Sequence, residues 1–427
     1  VSAAESRLAL LQQRRQEASM GFNQGSSTRR RFLQQAGFAA TSLALAPMQS
    51  FAAATASIPV DNGERELVTY PQKRPLMRIT TRPPHLETPF SVFNEGPITA
   101  NDAFFVRYHL ANIPTSIDLD SYRLKISGRV TRELSLSLAE LKALAPAVEV
   151  VAVNQCSGNS RAFSTPRVFG AQLGNGSMGN ARWTGVPLKA VLEHAGVLGD
   201  ARQVSFNGLD EPVLPTTPDF IKALDIDHAL SGEPILAWAM NGADIPFLNG
   251  YPLKLIVPGY FGTYWVKHLN QIEVLDHVFD GFFMATAYRV PDNDCMCVEP
   301  GTAAAKTRPI GRLKTRSFIT SLHDGSVVHA GRRLELKGIA FDGGSGIRTV
   351  DISADGGQSW KSAVLGKDLG KYSFREWRFG MTPLRKGELQ LMVRATSNGG
   401  EVQPLEATWN PAGYARNVIE TTKISVA

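Results

Sequence analysis

From about Thr315 onward the chain is written in short alternating segments, and that pattern constrains the fold more than any other feature. SFITSL, SVVHA, RRLELKGIAF, IRTVDISADGGQSW, KYSFREWRF and ELQLMVRATS follow one another at turn-rich spacing. Alternation of apolar and polar side chains gives a strand one face for a core and one for water. Several such strands in succession predict an all-β, immunoglobulin-like sandwich. Asp355-Gly356-Gly357 reads as a hairpin turn, with Trp360 as a core anchor on the returning strand. Asp342-Gly343-Gly344 also reads as a turn, because neither triplet has the carboxylate spacing of a calcium loop.

Upstream the pattern is mixed. LSLAELKAL (136–144) and VPLKAVLEHAGV (186–197) carry apolar residues at three- and four-residue intervals and predict helices. VEVVAV and YPLKLIVPG read as buried strands ending in turns. GAQLGNGSMGNARWTG (170–185) reads as glycine loop, and residues 57–100, rich in proline, as an extended wrapping segment. The expected fold class is α+β: a mixed α/β domain over 57–313 followed by the sandwich over 314–427. Two or three domains suit a chain of 427 residues.

The first 56 residues read differently. Thr28-Arg29-Arg30-Arg31-Phe32-Leu33 precedes the apolar stretch AGFAATSLALA and then SFAAATA, with Ala-x-Ala sites at Ala52–Ala54 or Ala54–Ala56. This predicts a leader and twin-arginine export signal, hence a periplasmic protein carried across the membrane folded, as proteins with an inserted cofactor are. The apolar run is too short for a membrane span. A net charge of +6 favours anionic partners. No basic cluster interleaved with aromatics follows residue 31, so nucleic acid is not expected.

The chain holds three cysteines. In VEVVAVNQCSGNSRAF the apolar run turns polar at Asn154-Gln155, and Cys156 sits at the turn with Arg161 five positions on. A neighbouring guanidinium favours the thiolate. Such a thiolate serves as a nucleophile or as a metal ligand. No histidine base lies in the loop, and no Cys/His cluster has zinc spacing, so a metal here takes its other ligands from a cofactor. Singly, Arg107 reads as a strand-edge arginine, His109 as a core histidine and Tyr288 as an ordinary buried tyrosine. Cys295-Met296-Cys297 is not the C-x-x-C-H of haem attachment, so no c-type haem is expected in this chain. A disulfide across one residue is expected to be strained, a weak metal site is the other reading, and the pair has no further account at this level.

Taken together, FFVRYH (104–109), CSGNSR, GNARWTGVPL, FNGLD, AMNGADIPFLNGYPLKLIVPGYFGTYWVKHL, ATAYRVPDN and the GIAFDGG…VDISADGGQSW segment occur in one order. In these motifs the chain resembles the sulfite oxidase family of molybdopterin enzymes, most closely its bacterial periplasmic sulfite dehydrogenases. The resemblance implies that Cys156 ligates molybdenum, that Arg107 and Arg161 line an anion pocket, that Tyr288 is the active-site tyrosine and that His109 contacts the site. It implies cofactor contacts at Phe104, Phe105, Arg107, Tyr108, His109, Asp210, Asn249, Lys254, Thr263, Tyr264 and Lys267. Asn249 and Lys254 stand where vertebrate members have histidine and arginine, and Ser160 replaces the first of an arginine pair. The implied activity is oxo transfer to sulfite, giving sulfate, with electrons passed to a separate periplasmic c-type cytochrome. A homodimer through the C-terminal domain is also implied. The rival readings are a sulfane-sulfur dehydrogenase, a sulfoxide reductase of the same fold, and a non-catalytic exported binding protein.

Overall fold

The structure is a computed structural model that describes residues 54–58 and 62–427. The export-signal reading falls almost wholly on residues outside those described. Residues 57–100 do more than wrap. Five strands, β1 (Thr55–Ser57), β2 (Glu64–Val68), β3 (Leu76–Thr80), β4 (His85–Glu87) and β5 (Val106–Arg107), form an antiparallel sheet in that order. Pro83 and Pro84 fall between β3 and β4, where no ladder N–H is needed, so proline content conceals the strands without breaking them. The β4–β5 register sets His85 opposite Arg107.

The next region runs β6 (Leu124–Gly128), β7 (Leu134–Leu136), α1 (Leu138–Leu144), β8 (Val148–Gln155), β9 (Met178–Pro187) and α2 (Leu188–Ala195). It continues with β10 (Gln203–Gly208), β11 (Lys222–Asp225), β12 (Ile235–Met240), β13 (Ala243–Asp244), β14 (Lys254–Ile256) and β15 (Leu269–Leu275). One sheet has the order β11-β10-β15-β6-β7, parallel at β15–β6; a second has the order β13-β12-β9-β8, with β14 also on β12. Both helices form where their spacing predicts. Ser137 and Glu140 make a reciprocal capping box on α1. In α2, Leu188, Val191, Leu192 and Ala195 are buried along one face, and Gly196 (φ 75°) closes the last turn.

Strands dominate, and no helix among the described residues exceeds the eight of α2. The expected mixed α/β domain is therefore a stack of short sheets with a few helical turns. GNARWTG, expected as loop, lies inside β9. Its glycines serve close approach rather than turning. A Cβ on Gly179 would come within 2.5 Å of the Phe104 ring, and one on Gly185 within 2.0 Å of the Leu236 carbonyl oxygen.

The C-terminal region begins with the hairpin of β16 (Arg289–Pro291) and β17 (Thr307–Pro309). Nine strands follow: β18 (Arg316–Ile319), β19 (Val327–Val328), β20 (Leu334–Phe341), β21 (Ile347–Ser353), β22 (Lys361–Ser362), β23 (Val364–Leu365), β24 (Arg375–Met381), β25 (Gly387–Ser397) and β26 (Glu420–Val426). They form two sheets, β18-β20-β24-β23 and β19-β26-β25-β21-β22, over a shared core of Leu336, Val350, Ile352, Trp377, Leu391, Val393 and Ile424. The core tryptophan is Trp377, not Trp360. Trp360 stays half-buried at the hairpin, its indole N–H donating to the Gly357 carbonyl (3.0 Å) and Arg394 lying 4.1 Å over its ring. Asp342 and Asp355 accept N–H and hydroxyl groups from Ser345, Gly346 and Ser359, as turn residues do.

The sandwich is welded to the rest. Phe318, Phe341 and Phe374 share one core with Phe93, Phe104 and Trp183. Arg316, 1 % exposed, reaches from β18 to Ser160 Oγ (2.9 Å) and to Glu420 (2.6 Å). No helix among the described residues is long and apolar enough to cross a membrane.

Candidate active site

β8 delivers Cys156. The strand pairs with β9 from Val148↔Gly185 to Gln155↔Met178, and its last five residues are buried. Beyond Gln155 the ladder gives way to a pinned loop. The Cys156 N–H donates to the Ser177 carbonyl (2.9 Å), and the Asn159 N–H donates to the Cys156 carbonyl (3.0 Å). Asn159 Oδ1 accepts the Ser177 N–H (2.9 Å). Cys156 is a free cysteine, 9 % exposed, and it lines two cavities at once.

The first cavity is an open mouth lined by His85, Arg107, Cys156, Arg161, Tyr288 and Tyr414, with the exposed Phe169 at its rim. Ser160 adopts a left-handed conformation (φ 71°), which turns the chain ahead of Arg161. Arg161 Nε donates to the Ala412 carbonyl (2.9 Å) and Nη1 to the Ala171 carbonyl (3.1 Å), while its guanidinium lies 5.2 Å over the Tyr414 ring. Gly158 leaves room for it, since a Cβ there would come within 2.7 Å of Nη1. Arg107, on β5, makes no side-chain hydrogen bond or ion pair among the described residues and faces both cavities. Two guanidinium groups on one mouth, one of them without a protein partner among the described residues, are suited to binding an oxyanion.

Tyr288 sits between the arginines in a left-handed conformation (φ 60°), a costly geometry for a bulky side chain. Its hydroxyl meets His109 Nε2 at 2.5 Å, and its ring stacks on Tyr414 at 5.6 Å with 3° between the planes. His109 in turn stacks on Phe220 at 3.6 Å. Burial, together with the charges of Arg107, Lys267 and Lys222, holds His109 well below its ordinary pKa, and burial pushes the Tyr288 phenol up. The pair is therefore neutral: a hydrogen bond between uncharged rings in a cationic surrounding.

The second cavity lies on the other side of Cys156. Phe104, Phe105, Tyr108, Asp210, Asn249, Lys254, Thr263 and Lys267 line it, with Arg107, His109 and Tyr288 at the junction. Of the residues expected from sequence, Tyr264 alone lines neither cavity. It follows Thr263 on the tight turn Gly262–Tyr264 and points away, its hydroxyl donating to the Ile310 carbonyl (2.5 Å) and its ring under Lys222 at 4.7 Å.

A molybdenum-bearing pterin phosphate needs cations and hydrogen-bonding groups around its anionic end. Lys254, 2 % exposed, and Lys73, 5 % exposed, form no ion pair among the described residues, and neither does Lys267. Lys73 donates to Asn249 Oδ1 (2.5 Å) and to the Asn101 and Phe104 carbonyls, while Lys254 lies over the Trp183 and Trp265 rings. Burial pushes Lys73 and Lys254 down to about 7, and the Lys73 charge further depresses Lys254. Burial drives Lys267 and Asp210 toward their neutral forms, against their mutual attraction. Asn154 Oδ1, Ser157 Oγ and Thr263 Oγ1 are buried at this cavity without partners. Unpaired buried cations and orphaned polar atoms are expensive unless an anion with many hydrogen-bonding atoms enters. The residues fit a pterin phosphate, and Cys156 offers the soft sulfur ligand at its metal end.

Residues 109–283 match the model of the oxidoreductase molybdopterin binding domain, and residues 307–427 that of the Mo-co oxidoreductase dimerisation domain. Over 360 residues the chain is 34% identical to sulfite oxidase from Gallus gallus, covering 80% of this chain and 76% of that protein. The chain belongs to the sulfite oxidase family. Sulfite oxidase from Arabidopsis thaliana is 30% identical over 383 residues, with 83% of this chain and 95% of that protein covered. Among solved structures, the sulfane dehydrogenase SoxCD from Paracoccus pantotrophus superposes with a TM-score of 0.69 at 23% identity, covering 85% of this chain and 90% of that one, a likeness of fold.

In this member of the sulfite oxidase family, several site residues carried no signal in the sequence. Lys73 lies in the proline-rich segment and acts through Asn249. His85 and Glu87 share β4; Glu87 accepts the Gly174 and Gly176 N–H groups (3.1 and 2.7 Å), and Ser177 Oγ bridges it to His85 at 3.4 and 3.1 Å. Burial pushes the Glu87 carboxyl up to about 7. Tyr414 comes from the sandwich, far along the chain from every motif. Only the fold brings it to the mouth. Cys295 and Cys297, left between a strained disulfide and a weak metal site by the sequence, are joined in a disulfide, which the left-handed Met296 between them (φ 53°) accommodates.

Proposed function

We propose that this chain is an exported molybdenum enzyme that oxidises sulfite to sulfate and passes the electrons to a c-type cytochrome. The observation that carries the reading is the Cys156 thiol at the junction of a lysine-lined cavity with unpartnered buried polar atoms and a mouth bearing Arg107 and Arg161. When bound, the cofactor supplies the oxo group and accepts two electrons. The protein's part is to bind and orient. Sulfite is a small, strongly hydrated anion, and fixed cations offset its desolvation: opposite unit charges 4 Å apart attract by about 4 kcal/mol at an effective dielectric of 20. Arg107 and Arg161 present planar guanidinium forks to an oxyanion. Tyr288, held by His109 and Tyr414, offers a hydroxyl beside that anion.

Export to the periplasm is supported by Arg29–Arg31 with the Ala-x-Ala sites, and by the Cys295–Cys297 disulfide, since such bonds persist in oxidising compartments. Assembly as a homodimer is supported by the dimerisation-domain match over 307–427. Sulfite-dependent reduction of cytochrome c by molybdenum-loaded protein tests the reading, with thiosulfate and methionine sulfoxide as comparison substrates. Preferred turnover of thiosulfate or a related sulfane would instead place the chain with the sulfane dehydrogenase whose fold it shares. Sulfoxide turnover would make it a reductase, and molybdenum-free purified protein would point to a binding role.

A further inference from the structure

The disulfide that the sequence left unexplained is connected to the mouth. Cys295 is exposed, Cys297 half-buried, and Met296 between them is buried with its backbone in the left-handed region. That conformation aims the Met296 carbonyl at Asn410 Nδ2 (3.2 Å), and beyond Cys297, whose N–H donates to Asn293 Oδ1 (3.1 Å), the Val298 N–H donates to the Trp409 carbonyl (2.9 Å). Asn410 fixes the sandwich loop after it. Its Oδ1 accepts the Tyr414 N–H (3.1 Å), and its Nδ2 also donates to the Tyr414 carbonyl (2.8 Å). This loop holds Arg161 twice, through the Ala412 carbonyl on Nε and the Tyr414 ring beneath the guanidinium. There is no slack between them. Gly413 (φ 61°) presses so close that a Cβ would come within 2.9 Å of Arg161 Cγ.

We propose that the Cys295–Cys297 disulfide, acting through Asn410, positions the Ala412–Tyr414 wall of the anion mouth, so that reducing the bond loosens the grip of Arg161 on its substrate. The proposal rests on the anion-oxidising reading above. Closing the ring across Met296 holds one residue in a conformation that a free chain occupies rarely, and that residue supplies the carbonyl Asn410 needs. Opening is thiol–disulfide exchange. One thiolate of a dithiol attacks Cys295 sulfur and releases the Cys297 thiolate, and the second thiol closes the reagent's own disulfide and releases Cys295. The two cysteines gain two electrons and two protons, and the dithiol loses them. With the ring open, Met296 relaxes toward ordinary backbone geometry and Asn410 loses an acceptor. Asn410 is a positioning residue: it touches no substrate.

The test uses molybdenum-loaded protein before and after dithiothreitol, with denatured thiols counted by alkylation, a rise from one to three marking the open bond. Sulfite KM and kcat are measured, and sulfate binding is measured separately by calorimetry without turnover. Reduction is expected to raise the sulfite KM and the sulfate Kd about three- to tenfold, with kcat within about twofold, and reoxidation to restore both. The Cys295→Ser/Cys297→Ser variant is expected to match reduced wild type and to ignore dithiothreitol; it decides the matter if the bond resists the reagent. Unchanged KM and Kd, or a fall in kcat alone, would overturn the proposal. If the loaded enzyme does not oxidise sulfite, the proposed function fails, and the sulfate Kd still judges this inference by itself.

Discussion

The two sides of Cys156 are both cationic, but they are built from different cations. Lys254 and Lys267 line the cavity on one side, with Lys73 behind Asn249, and Arg107 and Arg161 line the mouth on the other. The lysines are buried without counter-ions and pushed toward neutrality, two of them to about 7. Arginine does not give up its proton at any pH a protein meets. Arg161 is instead held by backbone carbonyls that leave its charge intact. The difference matches occupancy. A cofactor arrives once and stays, so its cavity needs charge only when filled, and lysine supplies charge on demand. A substrate anion comes and goes, so its mouth must be charged when empty. The thiol between them is where a permanent ligand meets a transient one.

The sharpest way to break this contrast is to remove the junction. Cys156→Ser is expected to lower sulfite-dependent cytochrome reduction by more than about 100-fold and to reduce molybdenum per protein, with the fold retained. Metal analysis beside circular dichroism checks it; full activity in this variant would dissolve the junction altogether. Next, Arg161→Ala is expected to raise the sulfite KM about 10- to 100-fold, the range for a lost charge-assisted hydrogen bond, with little change in protein yield. An unchanged KM would take Arg161 out of the anion site and leave Arg107 alone. On the lysine side, Lys254→Met is expected to act in opposite directions. Cofactor-free protein should gain stability, on the order of 1 kcal/mol, because an unpaired buried cation is replaced by an apolar chain of similar length. Pterin retention, read by fluorescence after denaturation, should fall. Thermal melts that drop for the cofactor-free variant would show that Lys254 is already paid for by the surrounding rings.

Both sides were legible in part: the family resemblance named Arg107 and Arg161 on one and Lys254 and Lys267 on the other, but not Lys73, His85 or Tyr414. CSGNSR places Cys156 and Arg161 on one short loop, so local geometry alone relates them, and FFVRYH does the same for Arg107 and His109. Periodicity also revealed both helices, to within two residues at each end, because apolar spacing is a local signal. The sandwich strands were visible for the same reason, save β23 and β26, which are short or sit at the chain end. What failed was non-local. Lys73, 176 residues from Asn249 in sequence, becomes a site residue only because β1–β5 form a sheet that proline content disguised. Tyr414 reaches the mouth only because Arg316 and the shared aromatic core weld the sandwich to the rest. Trp360 was taken for the core because it follows a turn. The turn's own polar atoms and Arg394 claim it instead, and Trp377 fills the core from the middle of a seven-residue strand.

The smallest expected effect tests the contrast most directly, through the pH dependence of stability in cofactor-free protein. Lys73 and Lys254 have ordinary values of 10.5 and are brought to about 7 by folding. Between those limits the unfolded chain carries protons that the native chain lacks, so stability rises with pH. Below about 7 both states are protonated and the full penalty of the buried charges is present. Asp210 and Glu87 work in the opposite sense but in a lower window. Folding raises them from 3.8 to about 6 and from 4.5 to about 7, so they remove stability as pH rises through those ranges and add nothing above. Buried tyrosines such as Tyr108, raised by burial, remove stability only above their ordinary value of 10.0. A clear window is left between about pH 7 and 9.5. Across it the melting temperature of cofactor-free protein should climb, the climb should be shallower in Lys254→Met, and it should flatten in loaded protein, where a bound phosphate favours the charged lysines. A level cofactor-free curve, with Lys254→Met running parallel to wild type, would mean that the cavity lysines stay charged with nothing bound, and the two sides of the thiol would then be cationic in the same way.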